Sequence, residues 1–423
     1  MNNWHADLIR GLPRDWPVRQ LSDIADRIEA GGTPSRVVPT YWHGQIPWVT
    51  PGELTNLGHK YLHETRESIS TQGLGSSGAT LLPKDSLLVT TRATLGSRAL
   101  AARPMATNQG FKSIVFNNIA NPNFYFHFFQ LLLPELIRRS SGTTFLEISG
   151  RQFSQITVPV PPLAEQRRIA EILDTADEEI RSTERLIAKL EQGRQGLLHD
   201  LLARCVHELS DAADADGKVR MTQLAEVCDL QVGFAFKSEW FRGDRGIRLL
   251  RGENAGYGAP DWSDTRYLTE VKAREFEGYL LDAGDMVVGM DRAFTKSGFK
   301  VSRLAVEDTP SLLVQRVGRF QPHLITGDFL WCLLNSEMYQ SQLSLRQIGM
   351  DIPHLSKADI LSPVICIPEL ETQGRIADVF LAFERRVCSE SRYLAGLHAM
   401  KQGLMDDLLT GRVRVSAAEG ASA

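Results

Sequence analysis

The chain of 423 residues has only five cysteines, and no two form a C-x-x-C pair. Scattered thiols at Cys205, Cys228, Cys332, Cys366 and Cys388 argue against a disulfide framework or a thiolate zinc site, and suit the reducing cytoplasm. Long hydrophobic runs are also missing. The most apolar stretch, residues 124–133, is too short to span a bilayer and is broken by His127 and Gln130, so no membrane partner is expected. The first 17 residues carry Asp, Arg and His without an apolar run, so no signal peptide is read there. Catalytic signatures are equally scarce. There is no H-E-x-x-H, no Walker lysine loop and no G-x-S-x-G elbow, and the histidines are dispersed. The expectation is a chain with no catalytic, cofactor-binding or metal site of its own. Excess positive charge is absent too: the formal net charge is −4. That disfavours a free-standing nucleic-acid binder, but leaves one whose basic residues share a face or that works inside a larger complex.

What the chain does have is a repeat. Residues 163–202 and 370–409 align without a gap at an offset of 207, with 15 of 40 positions identical. Identities include Leu163/Leu370, Gln166/Gln373, Arg168/Arg375, Ile169/Ile376, Gly196/Gly403 and Asp200/Asp407. Both copies follow a proline (Pro162, Pro368) and then run about 40 residues without another, which predicts two long helices. The seam is heptad-like. Ile169, Leu173, Ala176, Ile180, Thr183, Ile187, Leu190, Arg194, Leu197 and Leu201 follow 4-3 steps, and adding 207 gives the second seam. Polar residues interrupt both seams at the same points, Thr183/Glu390 and Arg194/Lys401, as register-fixing residues do. Beside the seam, Ile172, Leu186, Val379 and Tyr393 form an apolar set that a two-helix coil does not need, so they are candidate partner-docking residues. The acidic linker 207–218 reaches at most about 43 Å, which favours antiparallel helices.

The globular parts repeat more loosely. Residues 82–89 echo 281–288, Pro51-Gly52-Glu53 echoes Arg251-Gly252-Glu253, and Arg92-Ala93 echoes Arg292-Ala293. Residues 86–91 and 286–289 read as buried strands, and 124–140 and 328–344 as helices. Three motifs have plainer readings. Gly73–Gly78 matches G-x-G-x-x-G, but lacks a preceding apolar strand and reads as a flexible loop. Asn121-Pro122-Asn123-Phe124 reads as a helix start, and Pro260-Asp261 with Glu270-Val271-Lys272 as a chance nuclease-like pattern. Polar and basic residues in the expected loops suit DNA, because Asn, Gln and Arg can bond base edges bidentately while Lys and Arg neutralise phosphates. The candidates are Thr33, Ser35, Arg36, Arg92, Asn108, Gln109, Lys237, Arg251, Arg292 and Lys296.

P-P-L-x-E-Q-R-R-I-A-x-I-L-D from Pro161, Q-G-L-L-H-D-L-L from Gln195 and Q-G-L-M-D-D-L-L-T-G-R from Gln402 resemble the specificity subunits of type I restriction–modification systems. G-G-T-P-S (31–35), L-L-P-K-D (81–85) and A-F-K-S (235–238) are similar to that family's target-recognition domains. The resemblance implies an α+β chain: two similar α/β target-recognition domains joined by two long antiparallel coiled-coil helices with pseudo-two-fold symmetry. The implied boundaries are 1–162 for the first domain, 163–206 for the first helix and 207–218 for the linker. The second domain then covers 219–369, the second helix 370–412 and a flexible tail 413–423. It further implies a non-catalytic subunit that reads double-stranded DNA. Two modification subunits would bind S-adenosylmethionine, and restriction subunits would use ATP and Mg. The alternative reading is a coiled-coil adaptor presenting two protein-binding domains. A self-contained modification enzyme is disfavoured by the missing cofactor motifs.

Overall fold

The two proline-free runs become the longest helices, Leu163–Asp211 and Leu370–Leu408. The computed structural model describes residues 4–55, 57–92, 94–141, 146–211, 219–295, 298–347 and 354–415. The first helix runs past the expected end at 206 and takes up the start of the expected linker, whose residues 212–218 lie outside the described residues. The second stops short of 412, because Gly411 turns the chain into the left-handed region at φ +68°. The chain divides into two compact units, Met1–Glu184 with Tyr393–Ala423, and Arg185–Arg392.

Within each unit the helix segments pair antiparallel. In the first, Ile169 and Leu173 share a core with Met405, Leu408 and Leu409. In the second, Ile376, Ala377 and Phe380 share one with Leu198, Leu202 and Cys205. The start of one helix therefore packs against the end of the other, as the short linker predicted. The polar seam positions explain themselves here. Lys401 pairs with Asp177 in the first unit, and Arg194 lies 3.4 Å from Glu384 in the second. Asp177 and Glu384 are themselves related by the 207-residue offset, so one cross-helix ion pair is built twice. Burial pushes the Glu384 carboxyl pKa up, and the Trp331 indole N–H (2.8 Å) and Arg194 offset that rise only in part. Thr183 and Glu390 bond within their own helices instead, to Glu179 and Arg386.

A second device also recurs. Gln166 and Gln373 are buried at the helix starts. Gln166 Oε1 accepts the Asn121 N–H (2.7 Å), and its Nε2 donates to Pro161 O (2.8 Å) and Ile119 O (2.9 Å). Gln373 Oε1 accepts the Thr326 N–H (3.1 Å), and its Nε2 donates to Pro368 O (2.9 Å). Asn121 and Thr326 are the N-caps of the domain helices Pro122–Leu131 and Gly327–Leu334. Each long helix is thus bonded to the cap of its own domain's helix.

In the first unit a five-stranded sheet runs Ala25–Ala30, Phe111–Phe116, Leu87–Thr90, Arg98–Ala101, Tyr61–Leu62. Glu67–Ile69, Trp42–Val49 and Ala106–Thr107 form a second sheet, the last two parallel. Leu87–Thr90 is buried at every position because alternate residues serve two cores: Leu87 and Val89 face Phe124 and Phe128, and Leu88 faces Val49 and Phe111. The second unit repeats the plan, with Cys228–Val232, Val317–Pro322, Met286–Gly289, Val301–Arg303 in one sheet. Arg266–Leu268, Ile247–Leu250, Ser311–Leu313 and Leu280–Leu281 form its partner sheet. Met286 and Val288 face one core and Val287 the other. In each unit a two-stranded ribbon leads into a long helix: Val18–Gln20 with Thr157–Pro159, and Val219–Gln223 with Val364–Pro368.

Several sequence expectations shift. The helix expected over 124–140 is two, Pro122–Leu131 and Leu133–Arg139, and the one over 328–344 is also two, Gly327–Leu334 and Glu337–Ser344. The glycine-rich stretch is not wholly a loop. Ser70 caps a short helix, Thr71–Gly75, and a Cβ on Gly73 would lie 2.3 Å from Tyr41 O, so this glycine serves packing. Asn121 does open a helix, and Phe124 is buried in the core. The tail expected from 413 is held at its start. Arg414 bonds both Asp15 oxygens (2.9 Å) and Glu165 (2.7 and 2.9 Å), and Glu165 also accepts the Trp16 indole N–H (3.1 Å). Residues 416–423 lie outside the described residues.

The repeated cross-helix pair should be measurable as a coupling. In a double-mutant cycle of Lys401→Met and Asp177→Asn, denaturant melts should give an interaction of about 1–2 kcal/mol. A coupling near zero would mean that the apolar seam alone sets the register.

Candidate functional site

In the first unit the strand Ala25–Ala30 ends in Gly31-Gly32, where backbones meet. A Cβ on Gly31 would lie 2.0 Å from Asn108 O, and one on Gly32 2.3 Å from the Gly78 carbonyl carbon. Two indoles pin the loop that follows: Trp48 Nε1 donates to Gly32 O (2.9 Å) and Trp42 Nε1 to Ser35 O (3.1 Å). Thr33 Oγ1 then donates to Gln109 Oε1 (2.5 Å), and Asn108 Oδ1 accepts the Gly110 N–H (2.8 Å). The Thr91 N–H bonds Gly110 O, and the Ile148 N–H bonds Thr91 O. Six candidates, Thr33, Ser35, Arg36, Arg92, Asn108 and Gln109, therefore sit on one group of neighbouring loops.

Their chemistry is unequal. Arg36 lies 3.9 Å from the Trp42 ring centre and bonds both oxygens of Glu67. That pairing raises the Arg36 pKa and lowers that of Glu67, so Arg36 stands on the surface as half of an ion pair and not as a lone cation. Gln109 is exposed, with its amide oriented by Thr33.

The second unit builds the same loops with different side chains. A Cβ on Gly233 would lie 2.2 Å from Val314 O, and the Gln315 N–H bonds Phe234 O (2.8 Å). An open concavity of roughly 540 Å³ is lined by Phe236, Arg251, Arg292, Lys300, Gln315 and Arg316 among others. It brings Arg251 and Arg292 together. Lys237 stands nearby in sequence, exposed, with its ammonium 5.5 Å from the Trp240 ring centre. Lys296 lies outside the described residues. Arg251 is a structural residue: it is mostly buried, paired with Glu253 (2.8 Å) and Asp264 (3.1 Å). Arg316 is paired with Asp291 (2.7 Å), which also bonds His354 (2.6 Å). Burial pushes the Asp291 carboxyl up, but these two partners more than offset it and hold it below the usual range. Lys300 and Arg292 have no ion-pair partner among the described residues, and they line the same concavity as exposed Gln315.

Arg92 and Arg292 are not equivalent, contrary to the sequence echo. Thr90 pairs with Phe111 and the Thr91 N–H bonds Gly110 O; Gly289 pairs with Val317 and the Met290 N–H bonds Arg316 O. Arg92 therefore matches Asp291, and Arg292 falls one residue later, at φ +47°. The bridges agree: Arg92 faces Glu147 and Asp291 faces His354. The same register makes Gln315 the counterpart of Gln109. Gln315 and Arg316 were missed by the sequence reading. Gln315 stands between the strands Ser311–Leu313 and Val317–Pro322 as Gln109 stands between Ala106–Thr107 and Phe111–Phe116, a match visible once the segments are aligned on the strands and not on the arginine.

Amides oriented at a loop tip, with unpaired cations beside them, can bond base edges and phosphates. Residues 13–192 and 217–396 each match the family described as type I restriction modification DNA specificity domain. The chain is 27% identical over 412 residues to the type I restriction enzyme MjaVIII specificity subunit of Methanocaldococcus jannaschii, covering 96% of this chain and 94% of that one. The MjaIX specificity subunit of the same organism is 23% identical, covering 96% and 95%. Among solved structures, the type I restriction–modification S subunit from M. genitalium has a similar fold, with TM-score 0.60, 16% identity and coverage of 94% and 97%. A chain from a structural study of type I complex assembly and conformational transition gives 0.56 and 19%, covering 95% and 99%.

The difference between paired and unpaired cations is testable. Replacing Arg292 and Lys300 together by Ala should weaken duplex DNA binding by the assembled complex. It should also make log K against log salt shallower by about 2, at roughly 0.9 per phosphate contact. Arg251→Ala should instead lower the melting temperature. An unchanged salt slope in the double variant would remove both cations from the interface.

Proposed function

The chain belongs to the type I restriction–modification DNA specificity family, and on that premise we propose that its two domains read the two halves of a bipartite, asymmetric DNA site. It is a specificity subunit and not itself an enzyme. The observation that carries the two-part reading is one scaffold presenting two chemistries: Arg92 opposite Glu147 in one domain, and Asp291 opposite His354 in the other. Identical readers would favour a palindrome. Readers that differ in charge at the same backbone position favour unlike half-sites. The helices act as the spacer, and the bases between the half-sites go unread. A protein-binding adaptor is the weaker reading, because both domains match the DNA specificity family.

The long helices are also the docking surface for two modification subunits in this reading, with restriction subunits joining the complex. Those partners would carry S-adenosylmethionine, ATP and Mg, and the complex would work in the cytoplasm. Among the described residues no helix is long and apolar enough to cross a membrane. Leu186, Val379 and Tyr393 support docking on the helices, since all three are exposed there. Ile172 offers less surface than these three, since it is half-buried against the core of the first domain. Gly196 and Gly403 have open space where a Cβ would stand, so a neighbouring chain has room to approach both.

Two experiments test this. Exchanging residues 219–369 for the corresponding domain of a relative, then mapping methylated adenines in cells with the partner subunits, should change one half-site and keep the other. A continuous or palindromic target would end the two-reader reading. Separately, Leu186→Asp with Val379→Asp and Tyr393→Asp should abolish co-purification with the modification subunit while far-UV dichroism and melting stay close to the parent. Undiminished co-purification would move the docking surface elsewhere.

A further inference from the structure

We infer that Gln166 and Gln373 are positioning residues that hold each recognition domain at one angle on its own long helix, and so set how many unread base pairs are accepted between half-sites. This rests on the two-half reading above. The starting point is a coincidence of sequence and bonding. The same residue stands at both helix starts, 207 positions apart, buried in both. In both, Oε1 accepts the N–H of the residue capping a domain helix, and Nε2 donates to a proline carbonyl five residues earlier in the chain. The side chain therefore ties three things together: the long helix, the extended segment leading into it, and the body of the domain.

The joint needs such a tie. The chain passes from the ribbon strand Thr157–Pro159 into the helix at Leu163 through two prolines, and from Val364–Pro368 into the helix at Leu370 through a single intervening residue. Apolar packing around these joints tolerates small rotations. A planar amide bonded at both ends does not, because its hydrogen bonds weaken steeply with misalignment. Small rotations matter here. A turn of roughly 6–7° moves a point about 30 Å away, the width of a small domain, by about the 3.4 Å of one base-pair step. The glutamine keeps its bonding in both copies while the adjacent position does not: Glu165 bonds Trp16 and Arg414, whereas its counterpart Thr372 bonds Arg375.

The test uses the complete complex with its modification subunit. Methylation is measured on duplexes carrying the native half-sites with the native spacer, and with one base pair fewer or more. The parent should strongly prefer one spacer. Gln166→Met should reduce that preference at least tenfold while both half-site sequences stay the same, and Gln373→Met should do likewise. Phe153→Leu, a core change in the first domain, supplies the comparison: it should lower activity on all spacers alike. If Gln166→Met fails to assemble, Gln373→Met decides alone. A spacer preference unchanged in an assembled glutamine variant, or equally relaxed in Phe153→Leu, overturns the inference. A parent complex that reads no bipartite site at all would refute the premise and not the joint.

Discussion

Neither domain can close its core without both long helices. The first domain's apolar interior includes Ile169 and Leu173 from the start of one helix and Met405, Leu408 and Leu409 from the end of the other. The second uses Ile376 and Phe380 with Leu198 and Leu202. Burial of these side chains, each worth about 1.5–3 kcal/mol when complete, couples the coiled-coil seam to the globular folds. The helices are therefore not a handle attached to finished domains. A change in the seam is felt in the sheets, and the ion pairs Asp177–Lys401 and Glu384–Arg194 fix the register in which both are built.

Much of this was legible because helical periodicity is a strong signal and was present twice. The 4-3 spacing located the seam, and the short acidic linker argued for antiparallel pairing. The helix ends were less legible, since they depend on single backbone conformations such as that of Gly411, and on whether polar linker residues continue a helix. The domain interiors were read correctly as strand or helix where residues served two cores, as at Leu87–Thr90. The break after Leu131 had a signal in Pro134, which has no N–H to offer the Gln130 carbonyl and instead stands in the first turn of the next helix.

The site was harder, for a reason that is geometric. Loops admit single-residue shifts, so matching dipeptides such as Arg92-Ala93 and Arg292-Ala293 need not occupy matching places. The same slip affects Glu53 and Glu253. Glu53 accepts the Thr50 N–H, and the group that does this for Arg251 is Asn254. Residue type alone also failed to separate lone cations from paired ones. Arg36 and Arg251 stand in ion pairs within their domains while Arg292 and Lys300 have none among the described residues, a difference that residue type does not carry, and Gln315 attracted no notice.

The bonds from Arg414 to Asp15 and Glu165 tie the first unit's opening segment to a stretch made much later in synthesis. The second unit is one continuous stretch of about 200 residues, while the first is divided between the two sides of it. On the ribosome the order of completion is thus inverted. The second domain can finish while the first still lacks the helix that covers its core. The first must then hold exposed apolar surface through the synthesis of the whole intervening unit, a condition in which aggregation competes with folding. Its loop-closure entropy grows only slowly with the length of that insert. The burden of this architecture is accordingly kinetic, and it falls on the domain made first.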